Sequence, residues 1–134
     1  MNISHSNKVL ITGATGGLGN HLSRYFVEKG HPLIITSKSI EKLQILKKNL
    51  NDIDGDIEYF KCDLLNQNEF MGLVKFSEIN NVKVLVNNAA ITCPGKKLLS
   101  LTMNEINAIL SVNLQAPINL MRLLEPCLTD IINI

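Results

Sequence analysis

The feature that most constrains this chain is a glycine-rich turn between an apolar run and a helical pattern. Residues 9–22 read VLITGATGGLGNHL and include Gly13, Gly16, Gly17 and Gly19. The first N–H groups of a helix have no intrahelical partner and the helix dipole is positive there, so an anion is favoured at this point. Side chains larger than hydrogen would hold the anion away. The order of strand, glycine turn and helix therefore predicts a site for a dinucleotide pyrophosphate.

Two alternatives bear on this turn. Glycine also serves simple turns and helix ends that bind no ligand, so the turn needs support from other parts of the chain. The phosphate loop of nucleoside triphosphatases is excluded, because it requires Lys and then Ser or Thr after its last glycine. Here Asn20 and His21 follow Gly19.

Composition indicates one ordinary globular domain over residues 1–134. The chain is 46% hydrophobic and 19% charged, its formal net charge is +1, and no basic stretch exceeds a pair of lysines, so we expect no nucleic-acid and no membrane partner. The three cysteines are widely spaced and indicate reduced thiols, and no Cys or His pair has the spacing of metal ligands. The N-terminus lacks an apolar signal core, and we expect a cytoplasmic protein.

Strand and helix patterns alternate along the chain. Apolar runs predict buried strands at 9–12, 33–36, 57–62 and 82–86, with a turn at 51–56 between the second helix and the third strand. Gly30 is expected to end the first helix, and Ser39 and Asn66 to cap the next two, the latter helix carrying Glu69 at its third position. This alternation predicts an α/β fold with a doubly wound parallel sheet.

A long final helix is predicted from a capping box formed by Thr102 and Glu105 through about residue 124. Its apolar spacing predicts a buried side made of six residues. These are Ile106, Ile109, Leu110, Leu114, Ile118 and Met121.

Ligands of such sheets bind outside the carboxyl ends of the strands, so the residues at those ends are informative. The second strand ends at Thr36, Ser37 and Lys38, where the adenosine ribose of a dinucleotide would arrive. No carboxylate stands there for the ribose hydroxyls, whereas a lysine beside a serine suits a 2′-phosphate. This favours NADP(H) over NAD(H); the alternative is an exposed loop lysine.

The third and fourth strands end in further polar residues. Asp63 is expected either to accept a hydrogen bond from an adenine amino group or to brace the turn that follows it. Asn87 and Asn88 are followed by Ala89 and Ala90, which let a flat ligand lie against the backbone, although asparagine pairs also occur in ordinary turns.

Together these motifs resemble the N-terminal half of a classical short-chain dehydrogenase/reductase (SDR). The matched elements are TGATGGLG at 12–19, DL at 63–64, NNAA at 87–90 and Asn113 within SVNLQAP, in the family's order and spacing. The resemblance implies a Rossmann fold truncated before or at its fifth strand, which 131–134 resembles. It also implies hydride transfer between a nicotinamide cofactor and a small-molecule carbonyl or alcohol. The expected cofactor is NADP(H), with NAD(H) as the alternative.

The resemblance also assigns roles to residues. Lys38 falls where a basic residue selects NADP(H), Asp63 and Leu64 resemble the adenine-contact pair, and Asn88 lies by the cofactor ribose, while Asn87 is structural. Asn113 matches the helix asparagine that holds a water in a proton relay. The cofactor-binding set is Gly13, Thr15, Gly16, Gly17, Leu18, Gly19, Ser37, Lys38, Asp63, Leu64, Asn88 and Ala89.

The chain departs from the family at two places. Ala90 stands where the family usually has glycine, and the family's catalytic serine, tyrosine and lysine all lie beyond the helix that contains Asn113. Tyr25 and Lys29 have the tyrosine–lysine spacing, but they lie on the first helix, where we expect the ring to pack inward. We therefore expect a cofactor half-site without its proton donor, and an inactive 134-residue chain.

This departure leads to expectations about the whole protein. We expect this sequence to be a partial record or a truncated gene of a parent about twice as long. We expect the full-length parent to form a homo-oligomer. The 134 residues alone are expected to be unstable or to aggregate, because later strands and helices would cover an open sheet edge.

Two other functions are compatible with parts of the sequence. Gly13, Gly16 and Gly19 also fit extended family members such as sugar-nucleotide epimerases and dehydratases, although Asn87, Asn88 and Lys38 favour the classical branch. A non-catalytic nucleotide-binding module or pseudoenzyme is the alternative from another functional class.

Overall fold

The computed structural model describes residues 3–50 and 55–134, which form a five-stranded parallel sheet flanked by helices. The strand order is β3-β2-β1-β4-β5, so the predicted doubly wound α/β fold is confirmed. The elements are β1 Lys8–Thr12, α1 Gly17–Glu28, β2 Leu33–Ser37, α2 Ile40–Leu50, β3 Ile57–Lys61, α3 Gln67–Ile79, β4 Val82–Asn87, α4 Met103–Leu110, α5 Ala116–Leu124 and β5 Asp130–Asn133.

The central strands are apolar at successive positions because both faces of the sheet are covered. Val9 and Ile11 of β1 pack in a core cluster with residues of α1 and α2, whereas Leu10 packs in a second cluster with residues of α3 and α5. The strand order reverses between β1 and β4, and this reversal opens a crevice at the carboxyl ends of those strands.

The predicted helix starts and stops are confirmed where the structure describes them. Gly30 adopts φ +80° after α1, and the Ser39 hydroxyl accepts the N–H of Lys42 at 3.3 Å. The Asn66 side chain accepts the N–H groups of Asn68 and Glu69 at 3.0 and 3.1 Å. Of the turn predicted at 51–56, residues 51–54 lie outside the described residues.

The predicted strand bounds need small corrections. Strand β3 ends at Lys61 rather than at residue 62, and β4 extends to Asn87. In the described part of the chain, no helix has both the length and the apolar character that a membrane span requires.

The prediction of one continuous final helix is wrong. Its capping box forms as expected, but a π-helical turn at Ser111–Gln115 separates α4 from α5. This turn changes the helical phase, so Val112, Ala116, Leu120 and Leu124 face the core. Three residues of the predicted buried side are about half exposed instead, namely Leu110 at 48%, Leu114 at 54% and Ile118 at 48%.

The expected inward position of Tyr25 is also wrong, because its side chain is 54% exposed. Helix α1 buries Phe26 and Val27 against the sheet, which leaves Tyr25 beside that face with the Lys29 ammonium 5.8 Å from its ring centroid. Tyr25 follows Gly17, the first residue of α1, by eight residues. It therefore lies about 12 Å along the helix axis from the helix start, which borders the crevice.

Candidate functional site

A cleft of about 400 Å³ lies at the carboxyl ends of strands β1 to β4. Every residue of the predicted cofactor-binding set lines it, whereas Asn113 does not. Seven further lining residues were absent from that set: Thr12, Thr36, Cys62, Leu65, Ala90, Ile91 and Val112.

Two glycines of the turn are required by close backbone contact. Gly13 has φ +63°, and a Cβ added to it would lie 2.7 Å from the Ala89 Cα. A Cβ on Gly19 would lie 2.8 Å from both the Ala14 Cα and the Asn88 Nδ2. Glycine at these positions therefore lets the turn pack directly against the segment that follows β4.

The N-terminus of α1 is open toward the cleft. Gly16 caps the helix without a side-chain hydrogen bond, and the first turn contains no acidic residue. A Cβ on Gly17 would meet nothing within 4 Å. The helix start therefore combines a positive dipole end with space for an anion, which fits the phosphates of a dinucleotide.

Thr12 joins the glycine turn to the end of β4. Its hydroxyl accepts the N–H groups of Asn88 and Ala89, each at 3.0 Å, and donates to the Val86 carbonyl at 3.3 Å. The Asn88 Nδ2 donates to the carbonyls of Thr12 and Gly13 at 2.8 and 3.2 Å. Asn88 thus lies in the cleft, where its amide group holds the turn. A polar residue ending an apolar strand is the signal that points to Thr12.

The residue directly after β2 is a lysine that lines the cleft. Lys38 is exposed, and no carboxylate of residues 3–50 or 55–134 forms an ion pair with it. The Ser37 hydroxyl bonds to the backbone of Ser39 at 3.3 Å, and Glu41 accepts the Ser39 hydroxyl at 2.8 Å. The buried Thr36 hydroxyl makes no hydrogen bond within the described residues.

The segment after β3 is held by several hydrogen bonds. Asp63 Oδ1 accepts the Leu65 N–H at 3.0 Å, so Asp63 does brace its own turn. Glu69 Oε2 accepts the Asp63 N–H at 2.6 Å, and its other oxygen pairs with Lys61. Cys62 is buried, which raises the pKa of its thiol to about 12, so this thiol is protonated at neutral pH.

Asn113 connects the π-helical turn to the segment after β4. Its Oδ1 accepts the Ile91 N–H at 2.8 Å, and its Nδ2 donates to the Ile91 carbonyl at 2.9 Å. The predicted structural role of Asn87 has a clear physical basis, since its buried side chain donates to Asn133 Oδ1 of the neighbouring strand at 2.9 Å. Asn113 therefore fixes the backbone of the segment after β4, and Asn87 links the ends of β4 and β5.

Comparison with known proteins identifies the family. A family model for short chain dehydrogenase matches residues 7–134. The chain belongs to the short-chain dehydrogenase family. The cleft described above occupies the carboxyl edge of its Rossmann fold.

Similar proteins include plant, bacterial and metagenomic members of this family. Short-chain dehydrogenase reductase 3b of Arabidopsis thaliana is 29% identical over 109 residues, which are 80% of this chain and 42% of that protein. The NADP-dependent 3-hydroxy acid dehydrogenase YdfG of Escherichia coli is 35% identical over 85 residues, or 62% of this chain and 33% of the relative.

A solved structure supports the same fold. The crystal structure of a metagenomic short-chain oxidoreductase in complex with NADP superposes with a TM-score of 0.88 at 28% identity, covering 98% of this chain and 63% of that one. The chain spans less than half the length of the curated relatives it matches.

The chemistry available in the cleft follows from its lining. The titratable side chains among the lining residues are Lys38, Cys62 and Asp63. Lys38 supplies a cation, and the Cys62 thiol is protonated. Asp63 is a hydrogen-bond acceptor that is engaged with the Leu65 N–H. This arrangement suits binding of an anionic, flat ligand, and the lining contains no tyrosine or histidine to act as a general acid.

Proposed function

We propose that this chain is the cofactor-binding part of an NADP(H)-dependent oxidoreductase that acts on a small-molecule carbonyl or alcohol. The observation that carries the proposal is the position of Lys38, which directly follows β2 and forms no ion pair within residues 3–50 and 55–134, in the same cleft as the open N-terminus of α1. A cation such as Lys38 stabilises a 2′-phosphate. The preceding residue is Ser37 and not an acidic residue, whose carboxylate would repel the phosphate. Two relatives, the NADP-dependent 3-hydroxy acid dehydrogenase YdfG and the metagenomic oxidoreductase crystallised with NADP, agree with this preference.

Each part of the cleft then has a binding role. The N–H groups that begin α1 receive the phosphates, Lys38 meets the 2′-phosphate, and Asp63 with Leu64 holds the adenine. Asn88 lies by the ribose. Asn113, whose side-chain amide is engaged with the Ile91 backbone, would hold the water of the family's proton relay in a full-length protein. The cofactor supplies the hydride when it is bound.

We also propose that the 134 residues bind cofactor without turning over substrate. General acid catalysis contributes about a hundred- to ten-thousand-fold to such reactions, and the cleft lining offers no suitable donor. The family's serine, tyrosine and lysine would supply that donor in a full-length protein. The alternative of a non-catalytic nucleotide-binding module has the same support. DNA that continues in frame after codon 134 and encodes the three residues would favour the enzyme.

The proposal is tested by titrating the chain with NADPH and NADH and following nicotinamide fluorescence. We expect tighter binding of NADPH, and Lys38→Ala should weaken NADPH binding about tenfold while changing NADH binding less than about twofold. Lys48→Ala removes another exposed lysine, in the last turn of α2, and should leave both affinities unchanged. Absence of binding of either cofactor would contradict the proposal, and equal affinity for both would contradict the NADP(H) preference.

A further inference from the structure

The connection between β3 and α3 is fastened by a carboxylate from the helix that follows it. Glu69 is the third residue of α3, and its Oε2 lies 2.6 Å from the Asp63 nitrogen. Its Oε1 pairs with Lys61, the last residue of β3. Glu69 therefore binds both the residue that ends the strand and a residue that lines the cleft.

This arrangement differs from an ordinary capping box. In a capping box, a glutamate at the third helical position accepts the N–H of the N-cap residue. Here the Asn66 N–H donates to the Asp63 carbonyl at 2.9 Å instead, and Glu69 reaches past Asn66 to the Asp63 N–H. Thr102 and Glu105 of α4 form the ordinary box, in which Glu105 accepts the Thr102 N–H at 2.9 Å.

As a result, the backbone of Asp63 is held on both sides. Its N–H donates to Glu69, its carbonyl accepts from Asn66, and its own Oδ1 accepts from Leu65. The second carboxylate oxygen of Asp63 makes no hydrogen bond within the described residues. The cleft lining thus contains Asp63, whose backbone N–H is held by Glu69, and Leu64, which directly follows it.

We propose that Glu69 is the positioning residue for the adenosine end of the cleft, because it fixes Asp63 and Leu64 against a bound cofactor. This inference rests on the proposed function. The Asp63 N–H, and after it Lys61, keep the pKa of Glu69 below its usual value, so Glu69 is ionised at neutral pH and the hydrogen bond is charge-assisted.

The test compares Glu69→Ala and Glu69→Gln with the unchanged chain, using the two halves of NADPH as probes. We expect Glu69→Ala to weaken adenosine 2′,5′-bisphosphate about tenfold in calorimetry and to change reduced nicotinamide mononucleotide less than about twofold. Glu69→Gln keeps an oxygen acceptor for the Asp63 N–H and should recover most of the loss. In ¹⁵N-resolved spectra, the Asp63 amide should move upfield and exchange faster in Glu69→Ala, whereas the β1 amides should stay unchanged.

Glu105→Ala is the matched control, because it removes a carboxylate at the same helical position that also pairs with a lysine, Lys96. It should leave the affinity for adenosine 2′,5′-bisphosphate unchanged. An equal loss for both probes in Glu69→Ala, or an unmoved Asp63 amide, would overturn the positioning role. If the unchanged chain bound neither NADPH nor either probe, the proposed function would fail and the inference with it.

Discussion

A methyl group added at Gly19 would lie 2.8 Å from the Ala14 Cα, so Gly19→Ala must displace backbone. We expect this substitution to destabilise the fold by about 1–3 kcal/mol, the usual cost of an overpacked site. Urea unfolding followed by circular dichroism measures the change. An unfolding midpoint equal to that of the unchanged chain would show that the start of α1 does not pack against the glycine turn as described.

Gly17 differs from Gly19 because no protein atom lies close to the position that its Cβ would take. This space is open to a ligand. The added methyl of Gly17→Ala would meet nothing within 4 Å, so we expect no loss of stability in the same urea experiment. Because Gly17 lines the cleft at the start of α1, the methyl should weaken NADPH binding about tenfold or more. Unchanged NADPH affinity would place the phosphates elsewhere.

Thr12 offers a test of the hydrogen bonds that hold the cleft together. Thr12→Val keeps the shape of the side chain but leaves the Asn88 and Ala89 N–H groups without their acceptor. We expect a loss of about 1–3 kcal/mol in the free energy of unfolding, and recovery of most of it in Thr12→Ser. Equal stability of the valine and serine variants would argue against the role of the hydroxyl.

At this scale the sequence predicts residues whose roles follow from backbone rules. Gly13 and Gly19 were recognisable because a tight turn imposes known requirements on the backbone, whereas the role of Lys38 stays a prediction. Glu69 was recognisable as a helix-start residue, but its partner was not, since the capping-box pattern indicates Asn66 rather than Asp63. A hydrogen bond across a loop depends on the loop conformation, which the spacing of residues does not encode.

At the scale of elements, the start of α4 has a testable pH dependence. Lys96, followed by the Thr102 N–H, lowers the pKa of Glu105 from 4.5 to about 2. The stabilisation from this lowered pKa is present above pH 4.5 and is lost as the pH falls toward 2. We therefore expect the Thr102 amide resonance to be constant from pH 7 to 4. An inflection near pH 4.5 would contradict this, and Glu105→Gln, which cannot titrate, provides the reference.

The final helix shows where periodicity fails to predict an element. A helix pattern assumes 3.6 residues per turn throughout, and the π turn at Ser111–Gln115 changes that phase. Both Leu114 and Leu120 are apolar, so composition does not distinguish the exposed face from the buried one. The contact between Asn113 and Ile91 lies at this turn and joins α4 and α5 to the β4 segment.

For the whole molecule, the doubly wound parallel sheet followed from the sequence because continuous apolar strands require cover on both faces. Val9 and Leu10 are adjacent and both fully buried, on opposite sides of the sheet. Right-handed crossovers then leave few topologies. The exposure of Leu110 and Ile118 was not predictable in this way, since it depends on which apolar side of the two final helices faces the sheet, and the π turn between them interrupts the periodicity.

The exposed apolar residues predict how the chain behaves in solution. Leu110, Leu114 and Ile118 are spaced four residues apart and about half exposed, and β5 pairs on one side with β4 while forming an edge of the sheet. Open edges and contiguous apolar surface favour self-association. We expect light scattering after size exclusion to give a mass above 14.9 kDa that rises with concentration.

The double variant Leu110→Lys with Ile118→Lys should lower that mass toward the monomer, because two charges then interrupt the apolar row. The double variant Ile45→Lys with Ile79→Lys adds the same two charges at residues of α2 and α3 that are 59% and 74% exposed, and should leave the mass unchanged. Equal effects of both changes would mean that net charge, rather than this face, controls association. A monomer at all concentrations, with a cooperative melt, would show that the five-stranded sheet is stable with its apolar row exposed.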